Sequence, residues 1–146
     1  MVLYPLSKQQ RLIITEWLSK KDRPLLINGL TGTGKSKLGK ELLKDYHIID
    51  ISNEYLKYKG DLIEHIKSSL FKKDILMMCS NIHYKSLLID DFHYFIKYDK
   101  TNASRLIDFI KTVHNNHPII VITNEIDHKL YDKIKEISYN IKCRYS

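Results

Sequence analysis

Residues 24–43 read PLLINGLTGTGKSKLGKELL, and the way this stretch divides decides the fold. Leu25, Leu26 and Ile27 form a short continuous apolar run, the pattern of a strand buried on both faces. The loop after it fills the template G-x-x-x-x-G-K-[ST] with Gly29, Gly34, Lys35 and Ser36. In that template successive backbone N–H groups cradle a phosphate, and the helix opening at the loop's end adds the partial positive charge of its N-terminus. Lys37 to Leu43 reads as that helix. Three of the five glycines in the chain, Gly29, Gly32 and Gly34, fall in this one loop, where the backbone must turn tightly and approach a ligand closely. The predicted ligand is a nucleoside triphosphate, held by Gly29, Leu30, Thr31, Gly32, Thr33, Gly34, Lys35, Ser36 and Lys37.

The segments around the loop alternate strands and helices. Ahead of it, Ser7 and Gln10 fit a capping box for a helix carrying Leu12, Ile13, Trp17 and Leu18 and ending near Lys20. After it, Tyr46 to Ser52 is short and β-branched, as expected for a second strand covered on both faces. Asp61 can cap a helix with Leu62, Ile63, Ile66 and Leu70 on one side. Ile75 to Cys79 is apolar but too short for periodicity to assign. Ser86 to Asp91, SLLIDD, is a third buried strand that stops abruptly at two carboxylates. FHYFIKYDKTN reads as loop, and a helix with Leu106, Ile107, Ile110 and Val113 follows it. Ile119 to Thr123 is a fourth strand with Asn124 at its tip. A short helix from about His128 to Lys135 and a strand from Tyr139 to Cys143 close the pattern.

Composition narrows the class. A chain of 146 residues is one domain by length and buries a substantial core. No apolar run approaches the roughly 18 residues that a membrane helix needs, and MVLYPLSKQQ is not a signal peptide, so a soluble intracellular protein that does not contact membrane is expected. Two cysteines are too few for a disulfide framework. The net charge of +7 suits a phosphate-bearing partner, but its lysines are spread along the whole chain.

The chemistry gathers at strand ends, where open α/β sheets bind ligands. Asp90 stands where a carboxylate can hold Mg²⁺ together with the Ser36 hydroxyl. Alternation along a strand would aim Asp91 the other way, toward the attacking water, and Asn124 can orient that water or meet the γ-phosphate. Lys35, Asp91 and Asn124 are therefore the catalytic candidates, and Ser36 and Asp90 the metal candidates. His93 beside the acidic pair fits either a proton shuttle or a bystander. His114-Asn115-Asn116-His117 lacks further ligands and reads as a solvated turn. Tyr55-Leu56-Lys57-Tyr58-Lys59 fits a single-strand stacking surface and ordinary half-buried tyrosines equally well.

At these residues the chain resembles the AAA+ ATPases, with LLINGLTGTGKS as Walker A, LLIDD as Walker B and IVITN as the strand carrying the first sensor. Within that superfamily it is most similar to the large-subunit branch of the clamp loader, replication factor C. The Asp-Asp pair in LLIDDFHYF also resembles replication initiators and helicase loaders. The resemblance implies a three-layer α/β/α P-loop NTPase fold. Its five-stranded parallel sheet would have the order 5-1-4-3-2, with residues 24–146 as the core, residues 1–23 as a leading helix and linker, and no C-terminal helical lid. It also implies ATP and Mg²⁺ as cofactors, other AAA+ subunits as partners in a hetero-oligomer, and DNA contacted through that assembly.

Two departures bear on activity. The strand ends Asp90-Asp91 rather than Asp-Glu, which sets the base one methylene farther from its water. The position that carries an arginine finger in clamp-loader small subunits reads Glu136-Ile137-Ser138. Slow ATP hydrolysis in isolation is the expectation. The competing readings are a nucleotide-binding structural subunit with little turnover and a small-molecule or nucleotide kinase. The kinase is disfavoured because no arginine lies between Asn124 and Cys143 to meet a transferred phosphate.

Overall fold

The computed structural model describes residues 7–20, 22–29, 34–72, 85–113 and 117–143. Along them run α1 (Lys8–Lys20), β1 (Leu25–Gly29), α2 (Lys35–Leu42), β2 (His47–Ile51), a 3-10 turn (Asn53–Lys57) and α3 (Leu62–Phe71). These are followed by β3 (Lys85–Ile89), α4 (Phe92–Tyr98), α5 (Lys100–Val113), β4 (Ile119–Thr123), α6 (Lys129–Glu136) and β5 (Tyr139–Cys143). The strands form one parallel sheet in the order β2-β3-β4-β1-β5. This is the predicted order, and it puts the loop strand β1 beside β4.

The strands with the three longest uninterrupted aliphatic runs, residues 25–27, 87–89 and 119–122, take the centre of the sheet because only there are both faces covered. β1, β3 and β4 are buried along their whole length, whereas β2 and β5 lie at the edges with exposed positions. The expectation that the second strand is covered on both faces is thus corrected. His47 and Asp50 are exposed, and only Ile51 is fully covered.

Strand alternation divides the apolar side chains into two layers. Leu26, Leu87, Ile89, Ile119 and Val121 point to the side packed by α3, α4, α5 and α6. Leu25, Ile27, Leu88, Ile120 and Ile122 point to the side packed by α1 and α2. α1 begins with the predicted reciprocal cap, Ser7 N–H donating to Gln10 Oε1 and Gln10 N–H to Ser7 Oγ. It buries Ile14 and Trp17, while Leu12 and Leu18, expected on the inner face, are exposed. Asp61 caps α3 as expected, accepting from the N–H groups of Ile63 and Glu64. All four apolar residues foreseen there are buried.

FHYFIKYDKTN is not loop. It forms α4 and the start of α5, with Phe92, Phe95 and Ile96 buried at i, i+3 and i+4. Asp99 separates the two helices and binds Asn102 through both carboxylate oxygens, to the backbone N–H and to the side-chain amide. The aromatic content and the preceding acids mask an ordinary helical period. The unassigned apolar stretch at Ile75–Cys79 and most of the His114–His117 segment lie outside the described residues. Of the latter, His117 is described, its Nδ1 lying 3.1 Å from the Lys85 carbonyl oxygen. Tyr55 and Tyr58 pack with His65 in a ring cluster.

Candidate nucleotide-binding site

The site sits beyond the C-terminal ends of β1, β3 and β4. Gly29 ends β1 with φ 149°, and a Cβ there would come within 2.4 Å of the Cys143 carbonyl oxygen on β5, so only glycine lets the chain leave the sheet here. Gly34 re-enters at φ 80° as the residue preceding α2. Leu30, Thr31, Gly32 and Thr33 lie outside the described residues. The first-turn amides of a helix have no acceptor within it, and here they belong to Lys35, Ser36 and Lys37. The side chain of Lys37 is exposed.

Lys35 is 6% exposed, and its ammonium donates to the Gly29 carbonyl oxygen at 2.6 Å and to Asn124 Oδ1 at 2.7 Å. Burial lowers its pKa from the ordinary lysine value, with the Asp91, Cys143 and Asp90 groups opposing. A charged amine held in a desolvated place, at the positive end of a helix dipole, is unfavourable until an anion joins it. Ser36 Oγ donates to Asp90 Oδ2 at 2.7 Å.

The two carboxylates are not set by strand alternation, as the sequence suggested. Pairing of β3 ends at Ile89, Asp90 N–H still reaches the Ile51 carbonyl oxygen at 2.7 Å, and Asp91 then turns into the left-handed region at φ 55°, ψ 45°. It is the one non-glycine residue with positive φ among the described residues, and it starts α4. That turn, not the pleat, places Asp91 separately from Asp90. Burial, followed by the Asp90 charge, raises the Asp91 pKa above the usual carboxylate value, while His93 and Lys35 oppose.

His93 lies in the first turn of α4, where its Nδ1 accepts the Asn124 backbone N–H at 3.0 Å. An accepting Nδ1 means a neutral ring protonated at Nε2. Burial also holds its pKa below the ordinary value, against the pull of Asp91. The sequence leaves His93 open, because no local pattern ties it to a strand tip 31 residues away. Two hydrogen-bonded groups, Lys35–Asn124–His93 and Ser36–Asp90, thus share one polar cluster, with Asp91 in electrostatic reach of Lys35, Asp90 and His93. Cys143, at the edge of the same cluster, is a buried free thiol whose pKa burial pushes up.

The donor set fits Mg²⁺. Asp90 Oδ1 is buried with no hydrogen-bond partner among the described residues, while Oδ2 is held by Ser36. No group of three or more His, Cys, Asp or Glu side chains converges as a metal cage among the described residues. Mg²⁺ at phosphate sites needs none, since it takes one or two protein oxygens and fills the rest with phosphate and water.

The fold is that of the AAA+ core. Domain III of the replication initiation protein DnaA from Thermotoga maritima superposes with a TM-score of 0.60 at 20% identity, covering 99% of this chain and 65% of that one. A replication initiator DnaA bound to AMPPCP and single-stranded DNA gives 0.60 at 15% identity over 100% of this chain. The DnaC helicase loader gives 0.54 at 15%, covering 93% of this chain and 89% of that one. This chain spans 49% of the AMPPCP-bound DnaA chain. No protein-family model matches the chain, and no curated protein matches it by sequence. Among the described residues no helix is long and apolar enough to cross a membrane.

Proposed function

We propose that this chain is an ATP-binding AAA+ module of DNA replication that hydrolyses ATP slowly by itself and works among other AAA+ subunits. The observation that carries this is the convergence of the Lys35 ammonium, the Ser36–Asp90 pair with its spare carboxylate oxygen, and the Asn124 amide at the ends of adjacent strands. In this reading residues 29–37 wrap the phosphates and Lys35 neutralises them. Ser36 and Asp90 hold Mg²⁺, which when bound offsets charge on the β- and γ-phosphate oxygens. Asp91 accepts a proton from the attacking water, its raised pKa making it a better base than an ordinary carboxylate. Asn124 orients the water or donates to the γ-phosphate.

Among replication proteins, the initiator and helicase-loader branch is favoured over the clamp loader. The Asp90-Asp91 pair running straight into α4 resembles that branch, and the fold neighbours named above are of that kind, one of them bound to single-stranded DNA. The second reading, a structural subunit that holds ATP with little turnover, draws on the short Asp91 side chain and the lack of arginine from Glu125 to Cys143.

Thermal unfolding with and without millimolar MgATP tests the binding. Ligand at a hundred times its Kd adds about 2.7 kcal/mol, roughly 5 to 10 °C for a domain of this size. Turnover with and without partner subunits separates the two readings. An arginine supplied by a neighbour is worth about 10³ to 10⁵ in rate, so stimulation of that order supports the ATPase, and its absence supports the structural subunit.

A further inference from the structure

Asn124 is the first residue past the end of β4, whose pairing with β1 stops at Thr123. Its N–H and C=O have left the sheet ladder, yet both are held. The N–H donates to His93 Nδ1 at 3.0 Å, and the C=O accepts from Thr123 Oγ1 at 2.8 Å. These bonds lie on the two peptide planes that flank the Asn124 Cα, so together they fix both backbone torsions of that residue. Thr123 is fully buried, and His93 is anchored on α4, whose Phe92, Phe95 and Ile96 sit in the core. The side chain thus fixed puts Oδ1 2.7 Å from Lys35 Nζ.

We infer that His93 and Thr123 are positioning residues that hold Asn124 ready to read the γ-phosphate, and so set the preference of the site for nucleoside triphosphate over diphosphate. The inference rests on the proposed nucleotide site. With the backbone pinned, rotation of the amide about its own bond exchanges Oδ1 for Nδ2 at the same place. An acceptor facing Lys35 becomes a donor facing a γ-phosphate, with no movement of β4. A diphosphate offers nothing at that place and gains nothing from the pinning. If the pinning were lost, Asn124 would first have to be ordered, a cost borne by the triphosphate complex alone.

The test is calorimetric titration of the full chain in Mg²⁺ with AMPPCP and, separately, with ADP. His93→Leu removes the acceptor and should lower the AMPPCP-to-ADP affinity ratio about five- to tenfold, the worth of one hydrogen bond at the site, while ADP affinity stays within about twofold. His93→Asn, whose Oδ1 can stand where Nδ1 stood, should restore most of the ratio. Thr123→Val should lower the ratio in the same way, and Thr123→Ser should keep it, which covers the case in which a His93 variant fails to fold. A parent that binds both nucleotides equally overturns the inference, as does a His93→Leu or Thr123→Val that weakens both alike or leaves the ratio unchanged. Lys35→Ala separates the two levels. If it binds both nucleotides as the parent does, the nucleotide site itself is wrong; if it abolishes binding while the ratio in His93→Leu is unchanged, this inference alone falls.

Discussion

Among the described residues two lysines are buried, at opposite ends of the sheet, and they are buried in different ways. Lys85 opens β3, is 4% exposed, and donates to the Ser69 and Lys72 carbonyl oxygens at 2.5 Å each. Those carbonyls terminate α3, where a cation meets both the unpaired acceptors and the negative end of the helix dipole. Lys35 opens α2 instead, at the positive end of a helix dipole, and bonds one backbone oxygen and one amide. One ammonium completes a helix end. The other is held where a phosphate would relieve it. Burial of a charge therefore does not by itself mark a functional site; the sign of its surroundings does.

The largest effect should separate these two lysines. Lys35→Ala should weaken MgATP at least about a hundredfold and remove the thermal shift, as loss of a buried charge-assisted contact to phosphate implies. Lys85→Met should leave the shift intact. An equal loss of nucleotide response in both variants would erase the distinction. For the ligand-free fold the order reverses. Lys85→Met should cost about 2 to 3 kcal/mol, because buried helix carbonyls lose a charged donor, and Lys35→Met should stay within about 1 kcal/mol of the parent, because relief of an ammonium desolvated at the positive end of a helix dipole offsets the donor lost to the Gly29 and Asn124 oxygens. Denaturant titration of both proteins without nucleotide measures this.

Much of this contrast could be read from the sequence, but not all. The loop strand, the acidic strand end and the Asn124 tip announce themselves by short range: an apolar run, a glycine template and an abrupt stop. The sheet order came from resemblance, not from periodicity. The role of Lys85 is not legible, although a lysine heading the apolar run Ser86–Ile89 is a signal, because its partners lie at the end of α3 and no sequence spacing links them. His93 stands out beside the acidic pair but has no assignable role in the sequence, for the same reason. The left-handed turn at Asp91 leaves no trace in the sequence because aspartate tolerates that region without glycine's warning. α4 is hard to read because four aromatics, Phe92, Tyr94, Phe95 and Tyr98, and two preceding acids outweigh a correct i, i+3, i+4 pattern.

A smaller effect concerns the metal. Asp90→Asn should reduce the gain in ATP affinity on adding Mg²⁺ by about tenfold or more, because the amide offers one neutral oxygen in place of a carboxylate. An undiminished Mg²⁺ effect would remove Asp90 from the metal site. The smallest effect is a trade at Asp91. A carboxylate whose folded pKa is raised costs stability as pH climbs from its unfolded value through its folded one, so at neutral pH the ionised Asp91 weakens the ligand-free fold. Asp91→Asn should abolish residual hydrolysis yet raise Tm by a few degrees in nucleotide-free, metal-free buffer, since asparagine also tolerates φ 55°. The gap should close as pH falls toward the ordinary aspartate value. A variant that melts lower at neutral pH, or still hydrolyses ATP, breaks this account.

The central claim is that Lys35 and Asp90 form one phosphate and metal site. It is tested most directly by titrating ATP into the full chain in excess Mg²⁺ and again in chelator, with Lys35→Ala beside the parent. The account predicts saturable binding by the parent, weakened at least about tenfold without Mg²⁺ and undetectable at millimolar ATP in the variant. Parent binding that is indifferent to Mg²⁺, or variant binding equal to the parent's, would contradict it.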